Sequence, residues 1–145
     1  MVTVMPICKN DLEGLKVLYD DGFEGTNTDF IKMNETYNWM KDNPDYIVLC
    51  AKNGDKIVGS LMGIVNKELI GECKPFMVIE NVIVSNQCRR MGIGKILMDN
   101  IQKEAILREC SFIMLISRIN RKEAHKFYES VGFNGDVEKG FKKYL

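Results

Sequence analysis

Residues 82–95 of this chain have the sequence VIVSNQCRRMGIGK, and no other segment says as much about the fold. Three β-branched residues lead into a loop, and two alternate glycines then begin a long helical pattern. Glycine lets a backbone approach a ligand closely, and the free N–H groups at the start of a helix attract anions. The segment therefore predicts a binding site for a pyrophosphate group, formed by Arg89, Arg90, Met91, Gly92, Ile93, Gly94 and Lys95.

Spacing excludes two common phosphate-binding patterns at this site. A dinucleotide-binding GxGxxG pattern would need a third glycine where Leu97 stands, and a Walker loop would need GxxxxGK followed by Ser or Thr. The pattern that remains is Arg-x-x-Gly-x-Gly over residues 89–94, directly after a buried strand.

Hydrophobic patterns on both sides of this segment predict the remaining elements. Asn53-Gly54-Asp55 between two β-rich runs is a strong hairpin signal, and the apolar run 76–84 indicates a buried central strand. The predicted strands are 2–7, 46–52, 56–66, 76–84, 112–116 and a weaker one at 137–145. The predicted helices run from about 11 to 22, from 29 to 42, from 92 to 109 and from 121 to 131. The order β-α-α-β-β-β-α-β-α-β predicts an α/β fold, with helices on both faces of a mixed sheet.

A second motif lies near the end of the chain. Residues 124–133, AHKFYESVGF, have the pattern A-x-x-F-Y-x-x-x-G-F. In these two segments the chain resembles the GNAT superfamily of N-acetyltransferases, whose members bind the pyrophosphate of acetyl-CoA with the Arg-x-x-Gly-x-Gly segment. The resemblance implies a single acetyltransferase domain over residues 1–145, with a mostly antiparallel central sheet and acetyl-CoA as co-substrate.

The resemblance also implies roles for individual residues. The backbone of Val82, Ile83 and Val84 would hydrogen-bond the pantetheine arm and the thioester carbonyl. Tyr128 would protonate the departing thiolate as a general acid. Tyr128 also lies on the apolar face of its helix, where a purely structural role is the alternative.

Three further residues, Glu80, Arg121 and Asn120, are candidates for the site, each with a structural alternative. Glu80 interrupts an apolar strand, where desolvation would make an unpaired carboxylate a stronger base, although an ion pair would explain it as well. Arg121 occupies a position that is often a cofactor-contacting Asn in the family, and it could reach a CoA phosphate. Asn120, one place earlier, is also a candidate for a cofactor contact, although its capping-box pattern with Glu123 favours a role in starting the helix.

The acceptor is expected to bind near residues 23–29 and 66–75. Glu24, Asp29 and Glu72 could hold a cationic amine there, and a set of aromatic side chains could wall the pocket: Phe23, Phe30 and Trp39. The acceptor is a small-molecule amine or a peptide; the sequence does not choose between them.

Composition excludes several classes of partner. Twenty Lys and Arg balance twenty Asp and Glu, so no global basic field favours nucleic acid. No apolar run is long enough for a membrane span, and one His with five scattered Cys makes a metal site improbable. No secretory signal is visible, which predicts reduced cysteines in a cytoplasmic protein. A homodimer is left open, as are two rival functions, a non-catalytic acyl-CoA-binding sensor and a protein-interaction domain.

Overall fold

The structure, a computed structural model, describes residues 1–145 and separates into two units, Met1–Met114 and Leu115–Leu145. The first unit holds all of the strands and three of the helices: β1 (Val2–Pro6), α1 (Leu12–Gly22), α2 (Phe30–Met40), β2 (Tyr46–Asn53), β3 (Lys56–Asn66), β4 (Phe76–Val84), α3 (Ile93–Leu107) and β5 (Ile113–Met114). Short 3-10 helices span Lys9–Asp11 and Asn86–Cys88. The second unit contains α4 (Lys122–Ser130). The single domain expected over residues 1–145 stays a prediction.

The five strands form one sheet in the order β1-β2-β3-β4-β5. The first three pairings are antiparallel, and β4 pairs with β5 in parallel. The predicted hairpin is confirmed, because Asn53 pairs with Lys56 across a two-residue turn in which Gly54 has φ +61°. This mixed, mostly antiparallel sheet agrees with the predicted fold class.

Helices cover both faces of the sheet, as predicted. On one face, α1 contributes to a core cluster made of Leu15, Leu18, Cys50, Ile57 and Ile83. On the other face, α3 lies so close to β3 that a Cβ added at Gly59 would stand 3.0 Å from Ile93 Cγ2 and 3.1 Å from Leu97 Cδ1. Glycine at this position therefore lets α3 approach the sheet.

Two predicted strands differ from the structure. The strand expected at 112–116 is reduced to Ile113–Met114, which pair only with Met77 and Val78 of β4. The strand expected at 137–145 does not form, and Val137, Phe141 and the chain end are exposed. Strand propensity depends on a partner strand and a buried face, and residues 137–145 have neither.

Candidate functional site

The N-terminus of α3 presents unpaired backbone donors. Gly92 is the N-cap residue with φ +76°, and its carbonyl accepts the Ile96 N–H at 3.1 Å. No side chain caps the helix, so the N–H groups of the first turn have no partner in the helix. A Cβ added at Gly92 would meet no atom within 4 Å, which leaves open space for a ligand above these donors. The predicted anion site therefore has the backbone geometry it needs.

Two free cations stand beside these donors. Arg89 and Arg90 are exposed, and neither takes part in a salt bridge. Lys95 differs, because its Nζ lies 2.8 Å from Asp99 Oδ2 in an i,i+4 ion pair. The positive charge available to an anion thus comes mainly from the two arginines.

The hydrophobic members of this segment have different surroundings. Ile93 is buried at 2% exposure, so its side chain anchors α3 in the core and only its backbone can meet a ligand. Met91 is exposed, and Gly94 is half-buried in the first turn of the helix. Their binding roles remain predictions.

The strand that leads into this loop has an irregular register. Met62 pairs with Glu80 and Ser60 with Ile83, so two residues of β4, Asn81 and Val82, face one residue of β3. Asn81 has φ +54°, which is typical of a β-bulge. The bulge shifts the alternation of side chains between the two faces of β4 just before the strand enters the loop.

After the bulge, one edge of β4 is open. The Ser85 N–H donates to the Val58 carbonyl of β3 at 2.8 Å, and alternate residues of a strand direct their backbone groups to opposite edges. Val82 and Val84 therefore direct their N–H and C=O groups away from β3, where β5 does not reach. The backbone N–H and C=O groups of Ile83 instead point toward β3, and its side chain is buried. Of the three residues predicted to contact a pantetheine arm, two have their backbone groups at the open edge.

The structure does not place Glu80 in the buried environment that the apolar run 76–84 predicted. Its side chain is exposed, so the expected desolvation is absent, and it forms no salt bridge. Alternation along β4 explains this, because Glu80 shares a face with the half-buried Phe76 and Val78, whereas Met77 and Ile79 on the opposite face are buried. A role as general base stays a prediction.

In the second unit, Tyr128 lies on the buried face of α4. Its exposure is 9%, and its ring packs against Phe127 at 5.4 Å and Phe133 at 6.2 Å between centroids. The Phe133 N–H donates to the Tyr128 carbonyl at 3.0 Å, past Gly132 with φ +99°. The predicted helix end at Gly132 is thus confirmed. The aromatic packing holds the phenol ring in one place. A general acid needs such a fixed position, but a tyrosine with a purely structural role would have it too.

The start of α4 corrects one prediction. Arg121, not Asn120, is the N-cap residue, and no side chain caps the helix. Asn120 contributes only its carbonyl, which accepts the Lys122 N–H at 3.0 Å. Both residues are exposed, so their cofactor contacts remain predictions. Nearby, Ser117 Oγ is buried without a hydrogen-bond partner, a group that no sequence pattern marked.

A cleft of about 680 Å³ lies in the first unit beneath α2. Of the predicted acceptor residues only Asp29 lines it; Glu24, Phe30 and Glu72 do not. Phe23 instead packs against the core cluster of α1, and Trp39 is exposed with its ring edge-on to Tyr46 at 5.3 Å. The lining that sequence reasoning missed is a set of tyrosines and methionines: Tyr19, Met33, Tyr37, Met40, Tyr46 and Met62. The helical spacing of Met33, Tyr37 and Met40 was its only signal.

Two aspartates fix the position of α2 beside this cleft. Asp20 Oδ1 accepts hydrogen bonds from Thr28 N at 2.9 Å and from Thr28 Oγ1 at 2.7 Å. Hydrogen bonds from Lys16 and Thr28 lower the pKa of Asp20 to about 2. Asp29 then caps α2, with Oδ1 accepting the Lys32 N–H at 3.0 Å.

Three further observations bear on the class of site. No group of three or more His, Cys, Asp or Glu side chains is arranged to hold a metal ion. All five cysteines are free, and burial raises the pKa of the Cys50 thiol to about 11. No helix combines the length and the apolar character that crossing a membrane requires.

Comparison with known proteins completes the description of the site. The sequence model of the family described as "Acetyltransferase (GNAT) family" matches residues 13–133. A transcriptional regulator from Bacillus halodurans superposes with a TM-score of 0.91 at 26% identity, covering 100% of both chains. Glucosamine-6-phosphate N-acetyltransferase from Arabidopsis thaliana superposes at 0.87 and 16% identity, covering 100% of this chain and 99% of that one. AAC(6')-Iy, solved in complex with the bisubstrate analog CoA-S-monomethyl-acetylneamine, superposes at 0.82 and 16% identity, with 100% and 99% covered. A sequence search of curated proteins finds no match.

Proposed function

The chain belongs to the GNAT family of acetyltransferases, and on this basis we propose that it transfers the acetyl group of acetyl-CoA to a primary amine. One observation carries the proposal. A strand with an open backbone edge runs directly into a helix N-terminus that has unpaired N–H groups and two free arginines. The N–H and C=O groups along the open strand edge can hydrogen-bond an extended arm that contains amides. The anion site that follows them can bind a pyrophosphate at the end of that arm.

The residues present fit acetyl-CoA. Val82 and Val84 would hydrogen-bond the pantetheine amides with their outward backbone groups. The first-turn N–H groups of α3, together with Arg89 and Arg90, would hold the pyrophosphate. When bound, acetyl-CoA supplies an acetyl group activated as a thioester.

In the proposed reaction the neutral amine nitrogen forms a bond with the acetyl carbon, and the carbon–sulfur bond breaks. The Tyr128 hydroxyl donates a proton to the departing sulfur, a role that rests on the family resemblance of residues 124–133. The proton lost by the amine passes to Glu80 or to water. The exposure of Glu80 supports transfer onward to solvent.

The Glu80 role has a simple test in the dependence of turnover on pH. If Glu80 is the base, Glu80→Gln lowers turnover and removes the acidic limb of the pH profile. If both survive the substitution, water or another carboxylate takes the proton. Glu13→Gln is the matched control, since Glu13 is also exposed, forms no salt bridge and does not line the cleft.

We propose a small-molecule acceptor, with a peptide as the alternative. Support comes from two structural neighbours, one named a glucosamine-6-phosphate N-acetyltransferase and the other solved with an acetylneamine analog. A cytoplasmic location is part of the proposal, supported by five cysteines without a disulfide. A homodimer stays a prediction.

A second candidate function is an acyl-CoA-binding sensor, because one structural neighbour is named a transcriptional regulator. Calorimetry with acetyl-CoA, desulfo-CoA and ATP, followed by thiol release over a panel of amines, separates the candidates. Binding of acetyl-CoA with amine-dependent thiol release supports the enzyme. Binding without release from any amine supports the sensor, and no binding contradicts both.

A further inference from the structure

We propose that the acceptor is a monoamine with an apolar body, bound in the cleft beneath α2, and that polycationic amines are poor acceptors. This inference rests on the proposed acetyltransferase function. It concerns only which amines the protein accepts.

The size and lining of the cleft indicate the body of the acceptor. A volume of about 680 Å³ lies within the usual range for small-molecule sites. Tyr37 and Tyr46 provide aromatic surface, while Met33, Met40 and Met62 provide flexible apolar surface. Such a lining stabilises an aromatic or aliphatic group by removing it from water.

The charges of the cleft indicate what the acceptor lacks. Two carboxylates line it, and both are already engaged. Asp29 Oδ1 accepts the Lys32 N–H at 3.0 Å, and its Oδ2 lies 4.0 Å from Lys32 Nζ. Glu104 forms an ion pair with Arg108. Lys41 also lines the cleft and forms no salt bridge. A polycation would therefore bring ammonium groups to a site that has no free carboxylate and one free cation.

The same charges favour the reactive form of a monoamine. A nearby positive charge disfavours protonation, so the lining shifts a bound amine toward its neutral, nucleophilic state. A single amino group can reach this state, whereas each further ammonium of a polyamine would add an uncompensated charge.

The cleft and the site already described share strand β4. Asn81, the left-handed residue of the β4 bulge, lines the cleft. The next residue, Val82, directs its backbone groups to the open edge of β4. The cleft thus reaches the residue next to the strand edge proposed to hold the pantetheine arm.

The first test compares acceptors with the wild-type protein. Amine-dependent thiol release is measured with 2-phenylethylamine, tryptamine, spermidine and kanamycin. We expect kcat/KM for the aromatic monoamines to exceed that for the polycations by about tenfold or more. Preference for spermidine or kanamycin would overturn the inference and leave the acetyltransferase proposal standing. Binding of acetyl-CoA without acetylation of any amine would overturn both.

The second test changes the charge of the cleft. Lys41→Glu places an unpaired carboxylate in the lining, at the exposed C-cap position of α2, where the side chain forms no salt bridge. We expect the ratio of kcat/KM for spermidine to that for 2-phenylethylamine to rise about tenfold, with an unchanged Kd for acetyl-CoA. Lys143→Glu makes the same change in net charge outside the cleft and should leave the ratio unaltered. An equal rise in both variants would show an effect of global charge and contradict the inference.

The third test removes aromatic surface. Tyr37→Ala should raise KM for 2-phenylethylamine several-fold and leave the Kd of acetyl-CoA unchanged. Tyr144→Ala is the matched control, because Tyr144 is exposed and does not line the cleft. An unchanged KM in folded Tyr37→Ala protein would place the acceptor elsewhere.

Discussion

At the scale of one residue, Gly92 gives the proposed anion site its backbone geometry. Its φ of +76° lies in the left-handed region, which lets the chain enter α3 without a side-chain cap and leaves the first-turn N–H groups unpaired. Arg90, two residues earlier, also has a positive φ of +62°. Two left-handed residues so close together turn the loop sharply and bring its arginines beside the helix start.

Replacing Gly92 with Asp should abolish acetyl-CoA binding. The new carboxylate would lie among the N–H donors and repel the pyrophosphate, so Kd should rise by about 10²-fold or more. Isothermal calorimetry measures the change, and Tm reports on the fold. Gly71→Asp is the matched control, since Gly71 has φ +62° and equally open surroundings but lies in a distant loop. Equal loss of Tm with unchanged Kd in both variants would contradict the anion site.

The variant Tyr128→Phe distinguishes a chemical role of Tyr128 from a structural one. Tyr128→Phe keeps the ring that packs against Phe127 and Phe133 and removes the hydroxyl. If the hydroxyl protonates the thiolate, kcat should fall by about 10²-fold while the Kd of acetyl-CoA hardly changes. Steady-state kinetics and calorimetry measure the two quantities. Near-normal turnover with a lower Tm would remove Tyr128 from the mechanism, and Tyr144→Phe controls for loss of an exposed phenol.

At the scale of one element, α2 is fixed at its start and packs only loosely along its faces, where Met33 contacts the core cluster of α1 and Trp39 contacts Tyr46. It contains no buried residue, and it leaves the cleft open between itself and the sheet. Asp29 caps its start, and Asp20 holds the preceding Thr28 through two hydrogen bonds. A helix anchored in this way is free to adjust to an acceptor, because little core packing has to move with it.

The anchor at Asp20 predicts a dependence of stability on pH. The pKa of Asp20 is about 2 in the folded protein, against an ordinary value of 3.8. Its contribution to the free energy of unfolding is therefore fully present above about pH 4 and is lost as the pH falls through about 2. The Tm difference between wild type and Asp20→Asn should therefore shrink over this interval. Thermal unfolding followed by circular dichroism measures it. Asp21→Asn, which removes the same charge next to the anchor, should show no such convergence; a constant Asp20→Asn difference down to pH 2 would contradict the assignment.

At the scale of the whole molecule, zero net charge means that attraction for an anionic ligand is local. Twenty basic and twenty acidic residues are present, and most of the salt bridges join near neighbours on one helix. A salt bridge near the core joins residues far apart in sequence: Lys52 Nζ lies 2.5 Å from Asp11 Oδ1. Burial acts to raise the pKa of Asp11, but hydrogen bonds from Lys52 and the Cys8 N–H lower it below its ordinary value.

Affinity for acetyl-CoA should therefore weaken as salt rises, and two arginines should account for the effect. Salt screens charge-assisted contacts at an exposed site, so log Kd should rise with the logarithm of the NaCl concentration. In an Arg89→Ala/Arg90→Ala variant the slope should flatten. Removing two exposed lysines elsewhere, with Lys142→Ala/Lys143→Ala, should leave the slope unchanged. Equal slopes in all three proteins would show that the arginines do not bind the anion.

Features that depend on neighbouring residues could be predicted from the sequence alone. The predicted bounds 56–66 and 76–84 are those of β3 and β4, and the turn at Gly54 lies where Asn-Gly-Asp predicted it. The helix start at Gly92 and the helix end at Gly132 also agree with prediction. Turn residues, caps and hydrophobic periodicity act over a few positions, so a single sequence contains their full signal.

Features that depend on distant segments became visible only in the folded chain. The bulge at Asn81 arises from pairing with β3, and Glu80 lies on the less buried face of β4 where the apolar run predicted burial. Residues 137–145 have a strand-like composition but no strand beside them. The cleft beneath α2 joins residues from 6 to 108, and no local pattern marks such a set. Strand partners and cavities are set by how the whole chain packs, because the free energy of pairing and burial depends on surfaces that are far apart in sequence.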